Sequence, residues 1–378
     1  MPDALPNEMI DQLALALVPE LGPRRTAAVI AHFGSAGAVR RASANQLQQV
    51  AGIGEQLAQR FVQSLRSINV QAEIDLLSKH KVSLLPLGRP EYPAALSRIE
   101  DPPALLYYRG DLSDRDQQAV AIIGSRYCTS YGKRAAERIA GGLARAGVTV
   151  VSGLARGIDG AAHRGALDAG GRTIAVLAGG LSRIYPPEHA DLAAAVEQNG
   201  CLLSETPMTV QPQPGMFPAR NRIISGLSRA VVIIEAGQKS GALITAQHAA
   251  EQGREVFAVP GPVDSEASAG ANWLLRNGAR LIRSADDILE DLAGIAPIVP
   301  PSTSPNGTSD SIPVAPPPPN LDEIQQSIWN ALGEGPRVVD DIAAATSLDA
   351  AKLNVQLMLL EMKKVVRRLP GNIYERRS

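Results

Sequence analysis

The 378-residue chain lacks the features that mark several large classes of protein. It has only two cysteines, Cys128 and Cys201, whose spacing fits neither a metal site nor a redox motif and predicts two reduced, buried thiols. The five histidines show no metal-ligand spacing, so we expect no metal site. We find no leader-like segment and no apolar run long enough to span a bilayer, and therefore expect a cytoplasmic protein without membrane contact.

Net charge and aromatic content are also low. Lys and Arg total 37 against 38 for Asp and Glu, which gives a net charge of −1 and argues against a generally basic nucleic-acid-binding protein. A site for a polyanion must therefore be a local patch. Aromatic residues make up 3% of the chain, so few side chains are available to stack on bases. The 45% of hydrophobic residues is enough for two or three domains with a sizeable core.

Residues 1–75 predict a helical domain that contains a weak internal repeat. A glycine turn precedes a helical pattern at Gly22, and Gly52-Ile53-Gly54 precedes another pattern thirty residues later. Backbone N–H groups at such turns hold DNA phosphates in helix-hairpin-helix (SAM-like) units. A small helical domain for protein interaction remains the alternative. A soft domain boundary is expected near residues 70–82.

Residues 82–295 alternate short β-branched runs with helical patterns. Continuous apolar runs between helices indicate a parallel sheet covered on both faces, so we predict an α/β fold with an extended Rossmann-like, doubly wound core. The six runs are Val120–Ile123, Val148–Val151, Ile174–Ala178, Leu202–Leu203, Val231–Ile234 and Val256–Val259.

The end of the chain predicts a linker and a third domain. Nine of the residues 296–319 are proline, which indicates an extended linker. Residues 320–378 show three helical patterns, the last with Asp349 as its expected N-cap, and then a hairpin, which together predict a winged helix. Duplex DNA and a partner protein both remain open as its ligand. Its basic cluster near the hairpin consists of Lys363, Lys364, Arg367 and Arg368.

The residues that follow the predicted strands indicate a phosphate-binding edge of the sheet. Ligands of doubly wound folds bind outside the carboxyl ends of the strands, where glycines allow close approach and arginines match phosphate. Any one of these residues alone is explained by a tight turn with a solvated charge, but together they favour an anion site. The candidates are Gly124, Ser125, Arg126, Ser152, Gly153, Arg156, Gly157, Arg183, Lys239 and Ser240.

A predicted helix start adds four further candidates, Phe217, Arg220, Asn221 and Arg222. Pro218 suits the first turn of a helix, where free N–H groups and two guanidinium groups could hold a phosphate. Tyr127, Tyr185 and Phe217 are candidate base-stacking groups, with ordinary packing as the alternative.

The sequence gives little support for nucleotide chemistry. Gly124-Ser125-Arg126 is not a dinucleotide fingerprint, and Lys239 lacks the preceding glycine of a Walker A loop. Asp159 and His163 lie one helical turn apart, but no nucleophile accompanies them, so His163 is expected to be a hydrogen-bonding helix residue. We therefore expect no catalytic residue and no cofactor.

Several motifs together resemble the DNA-processing protein A (DprA/Smf) family, and the resemblance covers the whole chain. They are Tyr92-Pro93, Pro102-Pro103-x-Leu105, Gly124-Ser125-Arg126, Ser152-Gly153-x-Ala155-x-Gly157-Ile158-Asp159, Tyr185-Pro186, Phe217-Pro218-x-Arg220-Asn221-Arg222, Glu235-Ala236, Ser240-Gly241, Thr245-Ala246, Pro260-Gly261, Gly270-x-Asn272 and Gly278-Ala279.

The resemblance implies a protein that binds single-stranded DNA, loads a RecA-type recombinase onto it in natural transformation and recombination, and forms a homodimer through its core. It also allows a single-strand-binding protein as a partner. Arg126 would bind phosphate, and Arg220 and Arg222 would line the same pocket. Some members carry a basic residue where this chain has Pro187, and Arg183 is the candidate replacement.

Two alternatives remain. The nucleoside-monophosphate phosphoribohydrolases resemble this fold, but their PGGxGTxxE motif is not reproduced in the segment from Glu235 to Thr245. A protein scaffold whose basic edge binds an acidic partner is the other.

Overall fold

The computed structural model describes residues 5–19, 21–293, 321–332, 335–346, 348–363, 365–369 and 373–376. The proline-rich segment predicted at 296–319 lies outside these residues. The chain forms two compact units: the first covers residues up to 283 except 145–147, and the second covers 145–147 and the residues from 284 onward. Within the described ranges, no helix is long and apolar enough to cross a bilayer.

In the described residues six helices precede the sheet, as the helical patterns of the first segment predict. Leu15, Val29, Leu47 and Phe61 form their common apolar core. Gly22 begins the second helix with φ of +57°, and Gly54 is the N-cap of the fifth. The sixth runs through the boundary expected near 70–82. The helices are α1 (Asn7–Ala16), α2 (Gly22–Phe33), α3 (Ala36–Arg41), α4 (Ala44–Leu47), α5 (Glu55–Ser67) and α6 (Val70–His80).

A nine-stranded sheet forms the centre of the first unit. All six predicted runs are strands in it, and the sheet gains two strands before them and one after them. Its strands are β1 (Ser83–Pro86), β2 (Leu105–Gly110), β3 (Ala119–Ile123), β4 (Thr149–Ser152), β5 (Thr173–Val176), β6 (Gly200–Ser204), β7 (Ala230–Ile233), β8 (Glu255–Ala258) and β9 (Arg280–Leu281).

The strand order is β1-β2-β6-β5-β4-β3-β7-β8-β9, and β3 to β9 are parallel to one another. The chain moves outward in one direction from β3 to β6 and in the other direction from β7 to β9. The two directions diverge between β3 and β7, and the loops at the carboxyl ends of these strands are where such folds bind ligands. The predicted doubly wound core is confirmed.

Helices cover both faces of the sheet. Ile223 and Ala246 pack in one cluster with Ile123, Val176 and Val231. Ala193 and Val196 pack in another cluster with Ala175 and Leu202. The helices after β3 are α7 (Ser130–Arg145), α8 (Ile158–Asp168), α9 (Ala190–Gln198), α10 (Met216–Leu227), α11 (Gly241–Glu251), α12 (Ala269–Arg276) and α13 (Ala285–Ala293).

The chain ends in three helices and a small antiparallel sheet, as predicted for a winged helix. Asp349 caps the last helix, since its side chain accepts a hydrogen bond from the N–H of Lys352 at 2.9 Å. Ile328, Ile342, Leu357 and Tyr374 belong to the core of this domain. The elements are α14 (Glu323–Leu332), β10 (Arg337–Val338), α15 (Val339–Thr346), α16 (Ala350–Met362), β11 (Val366–Leu369) and β12 (Ile373–Arg376).

Candidate nucleic-acid interface

A pocket lies at the carboxyl ends of β3, β4 and β5. We call it the arginine pocket, because four guanidinium groups line it. Six of the predicted site residues are among its walls, namely Arg126, Gly153, Arg156, Arg183, Phe217 and Arg220. Leu177, Gly179, Tyr185, Pro186 and Pro212 also line it.

An aromatic and cationic stack forms one wall of the arginine pocket. The Arg126 guanidinium carbon lies 4.5 Å from the centre of the Phe217 ring. The ring centroid of Tyr185 is 6.0 Å from that of Phe217, at an interplanar angle of 55°. Tyr185 is 42% exposed, so its ring can be reached from solvent. Planar groups next to a cation match the combination of base stacking and phosphate contact that single strands require.

Arg220 lies at the bottom of the pocket. It is 5% exposed and donates to the carbonyl oxygens of Gly153, at 2.8 Å, and Val176. A Cβ atom on Gly153 would lie 2.6 Å from Arg220 and 2.7 Å from the Asp159 carboxylate, so a larger residue here would displace these two side chains. Arg220 and Asp159 therefore both lie next to Gly153, below the backbone that lines the pocket.

Burial changes the ionisation of both groups. It lowers the pKa of Arg220 to about 10, and the Asp159 carboxylate partly opposes this shift. Burial likewise raises the pKa of Asp159, against the attraction of Arg220. The positive charge of Arg126 also acts to lower the pKa of Arg220. A bound anion would stabilise the charged form of Arg220 in this pocket.

Arg156 and Arg183 are exposed at the rim of the pocket. Arg156 forms an ion pair with Glu188, which raises the pKa of Arg156 and lowers that of Glu188. Within residues 5–19 and 21–293, Arg126 and Arg183 make no ion pair with a carboxylate. Of the four pocket arginines, Arg126 and Arg183 are therefore the two whose guanidinium groups are best placed to bind a phosphate.

Arg222 does not line the arginine pocket, contrary to the expectation for it. Two residues after Arg220 on α10, its side chain points in a different direction, and it lies 3.2 Å from Asp101 and 2.5 Å from Glu205. It is 5% exposed. A guanidinium group that is buried between two carboxylates is not available to a phosphate in solution.

Gly124, Ser152 and Gly157 do not line the arginine pocket but lie in the backbone around it. Gly157 has φ of +74°, and a Cβ atom there would lie 2.2 Å from the Ser125 carbonyl oxygen, so glycine is needed where the loops after β3 and β4 approach each other. A Cβ atom on Gly124 would lie 2.7 Å from the Glu235 carbonyl oxygen. Ser152 is fully buried and donates to the Ile122 carbonyl oxygen at 2.6 Å.

Lys239 and Ser240 are in the loop before α11, outside the residues that line the pocket. Ser240 caps α11 through a 3.3 Å bond from the N–H of Ala242. Asn221 donates to the Gly241 carbonyl oxygen at 3.4 Å, which links this loop to the α10 segment. Lys239 is exposed.

A carboxylate of the protein itself occupies the helix terminus that usually binds a dinucleotide. Glu235 is 3% exposed and accepts hydrogen bonds from the N–H and the hydroxyl of Thr129, at 2.8 and 2.5 Å, at the start of α7. A Cβ atom on Gly132 would lie 2.3 Å from this carboxyl group. Since the first helix after β3 is the phosphate site of dinucleotide-binding folds, a pyrophosphate cannot enter here without displacing Glu235.

His163 is a buried hydrogen-bonding residue. Its Nδ1 lies 2.8 Å from the Thr173 hydroxyl, which itself donates to the Val150 carbonyl oxygen, so Nδ1 carries the proton and donates. Burial lowers the pKa of His163 to about 3. The Asp159 carboxylate accepts a hydrogen bond from the Ala155 N–H at 3.4 Å. Across the described part of the chain, no group of three or more His, Cys, Asp or Glu residues could hold a metal ion.

Sequence reasoning missed the second wall of the pocket. Gly179 and Pro212 form it, and neither is among the predicted site residues. A Cβ atom on Gly179 would lie 2.7 Å from Pro212 Cδ. No motif signals this contact, because it joins two loops that follow different strands.

The basic cluster of the winged helix is partly engaged within its own domain. Arg367 pairs with Glu375, and Lys363 donates to Gln325 at 2.7 Å. Lys364 and the side chain of Arg368 lie outside the described residues. On α16, Val355 and Met358 are 58% and 63% exposed, so part of its outer surface is apolar.

All three predicted domains match known families. Residues 83–293 match the DNA recombination-mediator protein A family, residues 313–372 match the DprA winged helix domain, and residues 13–67 match the SAM-like helix-hairpin-helix tandem. The predicted helix-hairpin-helix and winged-helix domains are thus confirmed.

The chain is also similar to individual proteins over most of its length. It is 36% identical over 397 residues to Protein Smf of Synechocystis sp., covering 98% of this chain and 99% of that one. The crystal structure of DNA processing protein A from Streptococcus pneumoniae has a TM-score of 0.66 at 35% identity and covers 76% of this chain and 98% of that one. DNA processing protein A from Helicobacter pylori, described for its single-stranded DNA binding mode, has a TM-score of 0.51 at 33% identity and covers 57% of this chain and 97% of that one.

Proposed function

Since this chain belongs to the DprA/Smf family of DNA recombination-mediator proteins, as its motifs predicted, we propose that it binds single-stranded DNA in the arginine pocket and loads a RecA-type recombinase onto it. The observation that supports this most is the stacked pair of Arg126 and Phe217 above buried Arg220. This role serves recombination and natural transformation, and we assign it to the cytoplasm, where recombinase and DNA meet.

In this proposal, Arg126 and Arg183 hold phosphates, and Arg220 adds positive charge from below. Tyr185 and Phe217 supply faces for bases. The DNA strand continues past Asn221 towards exposed Lys239. Its phosphates thus follow a line of basic side chains along the carboxyl edge of the sheet. The sequence of the DNA is not read, because stacking and phosphate contacts are tolerant of the base.

A second copy of the chain is the proposed partner of an apolar groove on the core. The groove is lined by Leu243 and Ile244 of α11 and by Trp273 and Leu274 of α12. Ile244 and Trp273 are 37% and 54% exposed, so the groove offers an apolar surface that a partner could cover. The groove adjoins β9, the outermost parallel strand of the sheet. A dimer that forms through this side of the core would cover the groove. A single-strand-binding protein is a further proposed partner, met on the DNA itself.

We assign no catalytic activity to the pocket. The helix terminus used for nucleotide phosphates is filled by the Glu235 carboxylate, and His163 is buried and bonded to Thr173. If the purified protein released free base from nucleoside monophosphates, and His163→Ala abolished that release, an enzyme of the phosphoribohydrolase type would replace this proposal.

The proposed DNA binding is tested by titrating labelled single-stranded and duplex oligonucleotides across a salt series. The single strand should bind more tightly, and log Kd should rise with log salt by about 0.7 for each phosphate contacted. An acidic peptide should compete poorly, since it has no bases to stack. A Kd that is independent of salt, or equal competition by the peptide, would contradict it.

A further inference from the structure

A carboxylate of the N-terminal helices is bonded to one of the loops that build the arginine pocket. Glu73 of α6 is 5% exposed, and its Oε1 accepts a 2.7 Å hydrogen bond from the N–H of Met208, in the loop between β6 and α10. Burial raises the pKa of Glu73, while the Met208 N–H acts against this shift. An acidic side chain is rarely placed in such surroundings unless it has a specific partner.

The carbonyl group of the same residue, Met208, is bonded to the loop that carries Arg183. The Met208 carbonyl oxygen accepts hydrogen bonds from the Ser182 hydroxyl at 2.5 Å and from the Ser182 N–H at 3.3 Å. Ser182 directly precedes Arg183 of the pocket rim. Met208 therefore joins Glu73 to the position of Arg183 through three hydrogen bonds.

Close contacts between the two loops leave little freedom to either. The Gly180 N–H donates to the Val210 carbonyl oxygen at 2.9 Å. A Cβ atom on Gly180 would lie 2.1 Å from the Pro207 carbonyl oxygen, and one on Gly179 would lie 2.7 Å from Pro212. A shift of the Met208 segment thus moves both Pro212 and the backbone before Arg183, which lie in the walls of the pocket.

The side chain of Met208 fixes the same junction by packing. It is fully buried in a cluster with Leu77 of α6, Tyr107 of β2 and Leu181 of the Arg183 loop. Apolar packing sets the distance between the elements, and the Glu73 bond sets which backbone group faces α6. We propose that Glu73 is a positioning residue, which orders the loop of Arg183 for binding single-stranded DNA through the backbone N–H and carbonyl groups of Met208.

This inference rests on the proposed DNA binding, and its test separates the two. Single-stranded oligonucleotide affinity is measured by fluorescence anisotropy for the full chain and for Glu73→Ala, Glu73→Gln, Arg183→Ala and the double variant, at a temperature where circular dichroism shows each to be folded. Arg24→Ala is the matched control, because it breaks the 3.1 Å Arg24–Glu100 ion pair, which joins the N-terminal helices to the core elsewhere.

Glu73→Ala should raise Kd about fivefold, a typical size for coupling through packed elements. Glu73→Gln should stay close to the unsubstituted protein, since its amide oxygen can accept the same N–H, and Arg24→Ala should leave Kd unchanged. Because Glu73 acts through Arg183, the double variant should bind no more weakly than Arg183→Ala alone. A Glu73→Ala protein of unchanged affinity, or losses that add in the double variant, would overturn the inference.

Two further measurements keep the inference testable. Amide hydrogen exchange in residues 180–183 and 208–210 should become faster in Glu73→Ala without DNA, and equal exchange would overturn the role of Glu73. If Glu73→Ala does not fold, Ser182→Ala removes the other end of the same link and should weaken binding instead. An unsubstituted protein that fails to bind the oligonucleotide contradicts the proposed function, whereas the exchange result still decides whether Glu73 orders the loop.

Discussion

The Arg126 guanidinium group stacks on the ring of Phe217, 4.5 Å from its centre. Arg126 follows β3 and Phe217 is in the first turn of α10, so the contact exists only because the fold brings these two points to one edge of the sheet. A stacked guanidinium keeps its N–H groups at the edge of its plane free, and these groups can bond a phosphate in the bidentate geometry that arginine favours.

Arg126→Ala should therefore weaken single-stranded DNA binding by about tenfold or more, because charge-assisted hydrogen bonds contribute about 1.5–3 kcal/mol. The thermal unfolding transition should not move, since the side chain is exposed. Arg115→Ala is the matched control: Arg115 is also exposed but precedes β3, at the amino edge of the sheet. Equal affinity of the two variants in an anisotropy titration would place the DNA site elsewhere.

Arg222→Ala should act mainly on stability rather than on DNA contact. Arg222 lies between Asp101 and Glu205, and its loss leaves both carboxylates without their cation in a largely buried position. Breaking a buried pair in this way costs about 3–5 kcal/mol. Urea unfolding of the core should show this loss. If the variant keeps its free energy of unfolding but binds DNA about tenfold more weakly, Arg222 contacts DNA after all.

The different positions of Arg220 and Arg222 show what the sequence could not reveal. The motif places both at the start of one helix, and it correctly predicts the helix and the edge of the sheet that it faces. Which arginine enters the pocket depends on the location of Asp101, Glu205 and Gly153. Those residues come from distant parts of the chain, and no local pattern specifies their contacts.

Strand prediction shows the same division. The parallel strands β3 to β8 are continuous apolar runs, because both of their faces are buried, and the sequence predicts all six of them. β2 was missed although Leu105, Leu106 and Tyr107 are buried, since it follows a proline-rich stretch and does not fit the alternation with helices. β9 has only two residues, Arg280 and Leu281, both exposed, and such an edge strand has no apolar signature.

Acid should destabilise the core through His163. Its pKa is about 3 in the folded protein, because burial disfavours the charged ring, against about 6.5 in an unfolded chain. Between these values the unfolded state binds the extra proton, so the free energy of unfolding falls as pH falls, by up to about 1.4 kcal/mol per pH unit.

Comparison with His163→Gln isolates this contribution, because the acidic groups are common to both proteins. From about pH 7.5 to about pH 5, the unsubstituted core should lose about 2 kcal/mol more than the variant in urea unfolding. Parallel pH profiles for the two proteins would show that His163 takes up its proton without unfolding.

Trp273→Glu should prevent the proposed core dimer. The side chain is 54% exposed in the apolar groove between α11 and α12, and a buried, unpaired carboxylate is unfavourable in any interface that covers it. Tyr131→Glu is the control, because Tyr131 is 47% exposed on α7, outside the groove. Sedimentation should show a monomer for Trp273→Glu and a dimer for Tyr131→Glu and the unsubstituted protein. A dimer that persists in this variant would place the interface on another surface.

A chain that ends at residue 300 should keep most of its single-strand affinity. Every residue that lines the arginine pocket precedes Asn221, so the core alone contains the proposed site. In the winged helix, Arg367 pairs with Glu375, and Arg376 stacks on Trp329 with its guanidinium carbon 4.6 Å from the ring centre. These internal contacts leave fewer cations for phosphates, so we expect truncation to raise Kd for a single strand by about threefold at most.

Duplex DNA provides the second half of this test. The exposed surface of α16 includes apolar Val355 and Met358, which suit a protein partner better than the polar edge of a base pair. Truncation should therefore change duplex affinity only modestly, and any change should diminish as salt rises. If single-strand binding disappears on truncation while the thermal transition of the core is unchanged, the winged helix and not the arginine pocket holds the DNA.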